Sequence, residues 1–188
     1  LPTKGLRPSV HPILPQPATG SRERGVNCTT ILVPSLPRRS CVNIFFDVDY
    51  TILGVDGSLR PGTRDVFRRL VADGHRLFVW SGVGVRAAEV RDHDLQEFVS
   101  EVFQKPLQEF EAGLRTFGVA VRPDFVIDDY PEIVGAVGGV VVRPYYFPTA
   151  NDREMERVYR IAIEYARNGY AKGVTLRQDD GGAGRDWG

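Results

Sequence analysis

The run Val42-Asn43-Ile44-Phe45-Phe46 ends abruptly in Asp47-Val48-Asp49-Tyr50-Thr51. A continuous apolar stretch of this length suits a strand buried on both faces, as in a parallel sheet. Its two carboxylates then fall at the C-terminal end of the strand, where open α/β sheets bind ligands. Carboxylates one residue apart repel, so a metal ion or a proton is expected between them. A strand followed by an Asp-capped turn uses the same residue types, and Asp-x-Asp by itself does not separate the two readings. The rest of the chain does.

Beyond this run the pattern alternates. Ile52 to Leu59, with Val55-Asp56-Gly57-Ser58 as turn chemistry, reads as a small hairpin or loop over the carboxylates. Pro61-Gly62-Thr63 opens a helix whose apolar stripe is Val66, Phe67, Leu70 and Val71, with Gly74 at its end. Leu77-Phe78-Val79-Trp80 is a second buried strand ending at Ser81-Gly82. A helix over Val85 to Arg91 leads to a strand over Phe98 to Phe103, then Lys105-Pro106. A helix over Leu107 to Thr116 precedes the strand Phe125-Val126-Ile127, which ends in Asp128-Asp129. A short helix, Pro131 to Ala136, comes before the strand Val140-Val141-Val142. The last helix is expected to be capped by Asn151, with Glu154 reaching back, and to bury Met155, Val158, Tyr159, Ala162, Ile163 and Ala166 before Gly169 ends it.

Strands alternating with helices imply an α/β fold. The expected architecture is a single-domain three-layer α/β/α sandwich on a mainly parallel five-stranded sheet. Three segments are expected: a Pro-rich basic arm over 1–40, extended or disordered; a folded domain over 41–175; and a polar tail over 176–188. The arm holds seven of the thirteen prolines, and six basic residues against one acidic, a net of +5. The chain as a whole is neutral, so the remainder carries −5 and no global field favours nucleic acid. No apolar run is long enough to span a bilayer, so no membrane partner is expected. Cys28 and Cys41 sit in no metal or redox spacing, which points to reduced thiols and a cytoplasmic setting.

Four strands thus end in polar residues: Asp47 and Asp49, Ser81, Lys105, and Asp128 with Asp129. In a parallel sheet all four sets converge on one edge. Two acids, a hydroxyl, an ammonium and two more acids suit phosphoryl transfer, which needs positioning and charge neutralisation more than covalent machinery. Mg²⁺ takes hard oxygen ligands such as these. Lysine and serine can hold phosphoryl oxygens. One carboxylate can attack phosphorus, and a second can protonate the leaving oxygen.

Over roughly Val42 to Val142 the chain resembles the haloacid-dehalogenase-like (HAD) phosphohydrolases. The resemblance rests on Phe45-Phe46-Asp47-Val48-Asp49-Tyr50-Thr51, Phe78-Val79-Trp80-Ser81-Gly82, Lys105-Pro106 and Val126-Ile127-Asp128-Asp129, in that order. It implies Asp47 as nucleophile and Mg²⁺ ligand, and Asp49 as general acid and base with its backbone carbonyl on the metal. Ser81 and Lys105 would bind the phosphoryl group and Asp129 would complete the metal site. Thr51 and Asp128 would support it from behind. Tyr50 departs from the glycine that many members carry. Asp47 to Ser81 spans 34 positions and Ser81 to Lys105 spans 24, whereas an independently folding cap needs roughly 40. A capless member with an open site is therefore expected, acting on a phosphorylated small molecule or macromolecule, with a second subunit of a homo-oligomer as one way to close it.

The expectation for function is a Mg²⁺-dependent phosphoric monoester hydrolase with an aspartyl-phosphate intermediate. Two alternatives use the same chain: a phosphotransferase passing that phosphoryl group to an alcohol, and a catalytically silent module that docks a partner through its basic arm. His75 and His93 are read as surface residues in helix–strand connections, and Trp80 as buried packing. The run Arg143-Pro144-Tyr145-Tyr146-Phe147-Pro148 follows the fifth strand onto the same edge. It is read either as a substrate wall or as packing for the last helix.

Overall fold

In the computed structural model, which describes residues 41–177, side-chain alternation along the strands divides one sheet between two cores. Along β1, Asn43–Asp47, Ile44 and Phe46 face one side while Phe45 faces the other. Leu77 and Val79 of β2, Arg76–Ser81, join the first side, and Phe78 and Trp80 the second. In β4, Phe125–Asp128, the same division sets Phe125 and Ile127 against Val126. Period-two alternation with both faces apolar is what a sheet covered by helices on both sides demands.

The helices fill those two layers. On the first face lie α1, Thr63–Ala72, and α5, Glu154–Asn168, with Val90 of α2, Ala87–Asp92. On the second lie α3, Phe110–Thr116, and α4, Pro131–Val137, through Leu114, Ile133 and Val134. β3, Val99–Gln104, and β5, Gly139–Val141, complete a five-stranded parallel sheet in the order β3-β2-β1-β4-β5. The chain builds outward from β1 to β3, then returns to β4 on the other side of β1. Strand order therefore reverses between β1 and β4, the place where open α/β sheets bind ligands. No helix among the described residues is long and apolar enough to cross a membrane. The expectations for residues 1–40, Cys28 included, and for the tail from Gln178 fall outside the described residues.

Several boundaries differ from the sequence reading, each for a local reason. Val71 is exposed rather than part of the α1 stripe. At about 100° per residue it lies beyond Phe67, at the margin of the face that Thr63, Val66 and Leu70 centre. α3 begins at Phe110, not Leu107, because Glu109 takes a left-handed conformation, φ 43°. α2 begins at Ala87, leaving Val83 and Val85 exposed. In α5 the Asn151–Glu154 capping box does not form. Asp152 Oδ1 accepts from the Glu154 N–H at 2.8 Å, and the Glu154 carboxylate, buried, turns to Arg157 Nε at 3.0 Å. Tyr159 is half-buried because its ring lies under Arg69, 3.6 Å from the guanidinium carbon, and its hydroxyl donates to Asp73 at 2.7 Å, tying α5 to α1. His75 is 4% exposed, so the surface reading fails: its N–H donates to Leu70 O at 3.1 Å as α1 ends, which folds it beneath the turn.

Gly139 opens β5 at φ 152°, where a Cβ would stand 2.0 Å from Val126 O and 2.6 Å from Val126 N. Those atoms are backbone of the neighbouring strand and cannot yield without breaking the ladder. Gly139→Ala is expected to cost more than about 2 kcal/mol in denaturant unfolding; a loss below about 0.5 kcal/mol would mean that β4 and β5 can separate freely.

Candidate active site

Asp47 is the last residue of β1, and the chain turns sharply after it. Val48 O accepts from the N–H groups of Thr51, Ile52 and Leu53 at 3.3, 3.0 and 2.9 Å. The turn requires a left-handed residue, and Tyr50 supplies it at φ 61°, the conformation that glycine adopts without strain. Three contacts hold Tyr50 there. Its N–H donates to Leu53 O at 2.9 Å, its carbonyl accepts from Tyr145 N at 2.7 Å, and its ring lies 5.3 Å from that of Tyr146.

The predicted strand-end residues meet. Lys105 Nζ donates to Asp47 Oδ1 at 2.6 Å and to Asp128 Oδ2 at 2.8 Å, and all three side chains are buried. The Lys105 N–H donates to Ser81 O at 2.9 Å, which sets the lysine's loop against the end of β2. Ser81 Oγ donates to Asp49 Oδ2 at 2.7 Å and accepts from Val83 N at 3.2 Å. The Asp129 N–H donates to Thr51 Oγ1 at 3.1 Å, so Thr51 joins the turn after β1 to the end of β4. Asp128 Oδ1 accepts from Tyr130 N at 2.9 Å.

Two arginines escaped the sequence reading. Arg86, at the start of α2, pairs with Asp49 Oδ1 and holds Glu89 at 2.6 Å. Lys105 is thus not the sole cation near the acids. Arg60, 1% exposed at its side chain, donates from Nε and Nη2 to Asp152 Oδ2 at 3.1 and 3.0 Å, and from Nη1 to Thr51 O at 3.1 Å. Its guanidinium lies 5.2 Å from the ring centre of Tyr145. These hydrogen bonds hold Asp152 below the usual carboxylate range against the opposing effect of burial. The run Arg143–Pro148 meets α5 at its first residue, where the Arg143 N–H donates to Glu154 Oε1 at 3.3 Å, and it does more than pack there. It straps the loop after β1: Tyr145 bonds Tyr50, and Tyr146 O accepts from Val55 N at 2.9 Å. His93 Nε2 contacts Gly57 O of the same loop at 2.9 Å. Trp80 is fully buried, with its ring edge-on to Phe45 and Phe110.

The electrostatics favour a cation. Burial pushes the Asp47 carboxyl up to about 7, and the charge of Asp128 adds to this against Lys105. Burial likewise raises Asp128 and Asp129. Burial opposes the charge on Lys105, but Asp47 and Asp128 outweigh it and hold the ammonium above its ordinary value. Oxygens of Asp47, Asp128 and Asp129 lie within 4.8 Å of one another. This all-carboxylate set fits a hard divalent cation such as Mg²⁺. Asp128, expected only behind the metal, is one of the three. The Asp49 carboxylate is not, being held by Ser81 and Arg86. Comparison with protein-family models gives no match, and neither does comparison with curated proteins.

Two outcomes follow from this geometry. Removing one partner of a buried ion pair strands the other, so Arg60→Met is expected to cost about 3 kcal/mol, part of it recovered when Asp152→Asn is added. Equal losses in the single and double variants, measured by denaturant unfolding, would show the pair to be idle. A divalent cation that binds only the folded chain should stabilise it by about 2.7 kcal/mol at a hundred times its Kd. In metal-free protein Asp129→Asn should be neutral or stabilising, since it relieves repulsion; in saturating Mg²⁺ it should melt below the wild type. Equal Mg²⁺ shifts in both proteins would remove Asp129 from the ligand set.

Proposed function

We propose that this chain is a Mg²⁺-dependent phosphoric monoester hydrolase built on a HAD-type core without a cap, acting through an aspartyl-phosphate on Asp47. The observation that carries the reading is the Lys105 ammonium held between Asp47 and Asp128 beside the Ser81–Asp49 pair, at the point where strand order reverses. The described residues leave no room for an inserted cap in these intervals: between Asp47 and Ser81 lie one loop, α1 and β2, and between Ser81 and Lys105 lie α2 and β3.

In this reading an Asp47 carboxylate oxygen attacks phosphorus. A new O–P bond forms as the bond to the leaving alcohol oxygen breaks. Asp49 gives that oxygen its proton, which requires Arg86 to release the Asp49 carboxylate first. A water then attacks the aspartyl-phosphate, Asp49 takes its proton, and inorganic phosphate leaves with Asp47 restored. Lys105 spends two of its three ammonium protons on Asp47 and Asp128, and the third serves a phosphoryl oxygen. Ser81 Oγ–H becomes the second donor once it turns from Asp49 to the phosphoryl group. Asp47, Asp128 and Asp129 would hold Mg²⁺, with the Asp49 backbone carbonyl as a further ligand; when bound, the ion supplies positive charge to the equatorial oxygens.

Transfer to an acceptor alcohol in place of water uses the same residues, and the open mouth admits either. A silent docking module has no use for a buried lysine between two acids, and the intact set weighs against it. A cytoplasmic setting goes with this reading on the spacing of Cys28 and Cys41 alone.

The test is a panel of phosphomonoesters, including nucleotides, sugar phosphates, phosphopeptides and DNA ends, with Mg²⁺ and with chelator. Turnover is expected only with Mg²⁺. Asp47→Asn is expected to abolish it with an unchanged fold by circular dichroism. Wild-type turnover in that variant would sink the assignment of the nucleophile.

A further inference from the structure

The cleft over Asp47 and Lys105 has a volume of about 470 Å³. Its floor is charged, and its walls are mostly apolar. Tyr50, Val83, Leu107 and Tyr130 line it and are 41, 75, 64 and 61% exposed. Large apolar groups gathered round one opening mark a recognition surface rather than ordinary scatter. Lys105 is the one cation among the lining residues, 6% exposed and engaged by Asp47 and Asp128. Arg86, against Asp49, is engaged between Asp49 and Glu89. Away from the floor, the charge that the wall carries is that of Glu132, which is exposed.

A phosphoryl group on the floor therefore leaves the rest of its ester among aromatic and aliphatic faces and one carboxylate. A second phosphate or carboxylate on the ester would meet Glu132 with no wall cation among the described residues to pair with, and like charges brought together count against a ligand. A flat uncharged ring would meet Tyr50 and Tyr130, whose faces and edges suit another ring. We propose that the site selects phosphomonoesters whose alcohol part is an uncharged aromatic ring and rejects those carrying a second anion. This rests on the phosphatase reading and names its substrate class.

The test measures binding, so it does not depend on turnover. The full chain with Mg²⁺ is titrated calorimetrically with benzylphosphonate and with 4-carboxybenzylphosphonate. The uncharged probe is expected to bind about ten-fold tighter or more. Glu132→Gln should narrow that ratio, and Tyr130→Ala should weaken the uncharged probe several-fold. Both residues are exposed, so neither variant threatens folding. A peptide carrying phosphonomethyl-phenylalanine between neutral residues, run beside the free probe, separates a polymeric source of the ring from a free one. The same discrimination is expected in whichever binds tighter. Equal affinity for the charged and uncharged probes, or a ratio that Glu132→Gln leaves unmoved, overturns the proposal. Turnover of phenyl phosphate is scored separately. Discrimination without turnover removes hydrolysis and leaves the recognition standing; turnover without discrimination does the reverse.

Discussion

The Lys105 ammonium does what no single strand could. It follows β3, two strands away from β1 and three from β4, yet it reaches the terminal carboxylates of both. Lysine's four-carbon stem is long enough to cross the end of β2, and its apolar methylenes tolerate the burial that the charged end would resist alone. Asp47 and Asp128 are packed close together by the pairing of β1 with β4. Without a cation between them, ionising both would oppose that pairing. One ammonium does not neutralise three buried or half-buried acids, and the negative charge that remains could hold a metal ion.

Around that centre the support is layered. The turn after β1 is held from below by Thr51 to Asp129, and from the side by Arg60 and the strap that contains Tyr145. Arg60 is anchored in turn by Asp152, one residue pair before α5. The loop after Asp47 is thus connected to the last helix through one buried guanidinium. A backbone strained at Tyr50 persists because these contacts over-determine it.

The strands and the acids were legible in the sequence because both follow from local rules. Buried parallel strands are continuous apolar runs, and polar residues ending such runs at regular intervals have one edge on which to gather. Lys105 stood out because only three of the 24 basic residues are lysines. Arg60 and Arg86 did not, being two among many arginines whose partners, Asp152 and Asp49, lie far along the chain. Burial of His75 and the late starts of α3 and α5 were hidden for the same reason. Each depends on something that no periodicity announces, a left-handed Glu109 at α3 and the bond from the Glu154 N–H to Asp152 at α5. The order of the polar strand ends was readable; the second cation, and the place of Asp128 within the carboxylate group rather than behind it, were not.

A parallel sheet of five strands has two open borders, and each is a template on which a foreign strand can grow. On the β5 side the chain comes back after α5: Gly139 N–H donates to Thr175 O at 2.9 Å, and Thr175 N–H to Gly139 O at 2.8 Å. On the β3 side, exposed Ser100 and Glu101 set polarity and charge where a neighbour would have to dock. The short segment around Thr175, beyond the last helix, therefore acts as a selvedge. It helps to decide that the fabric ends at the fifth strand instead of continuing into the next molecule.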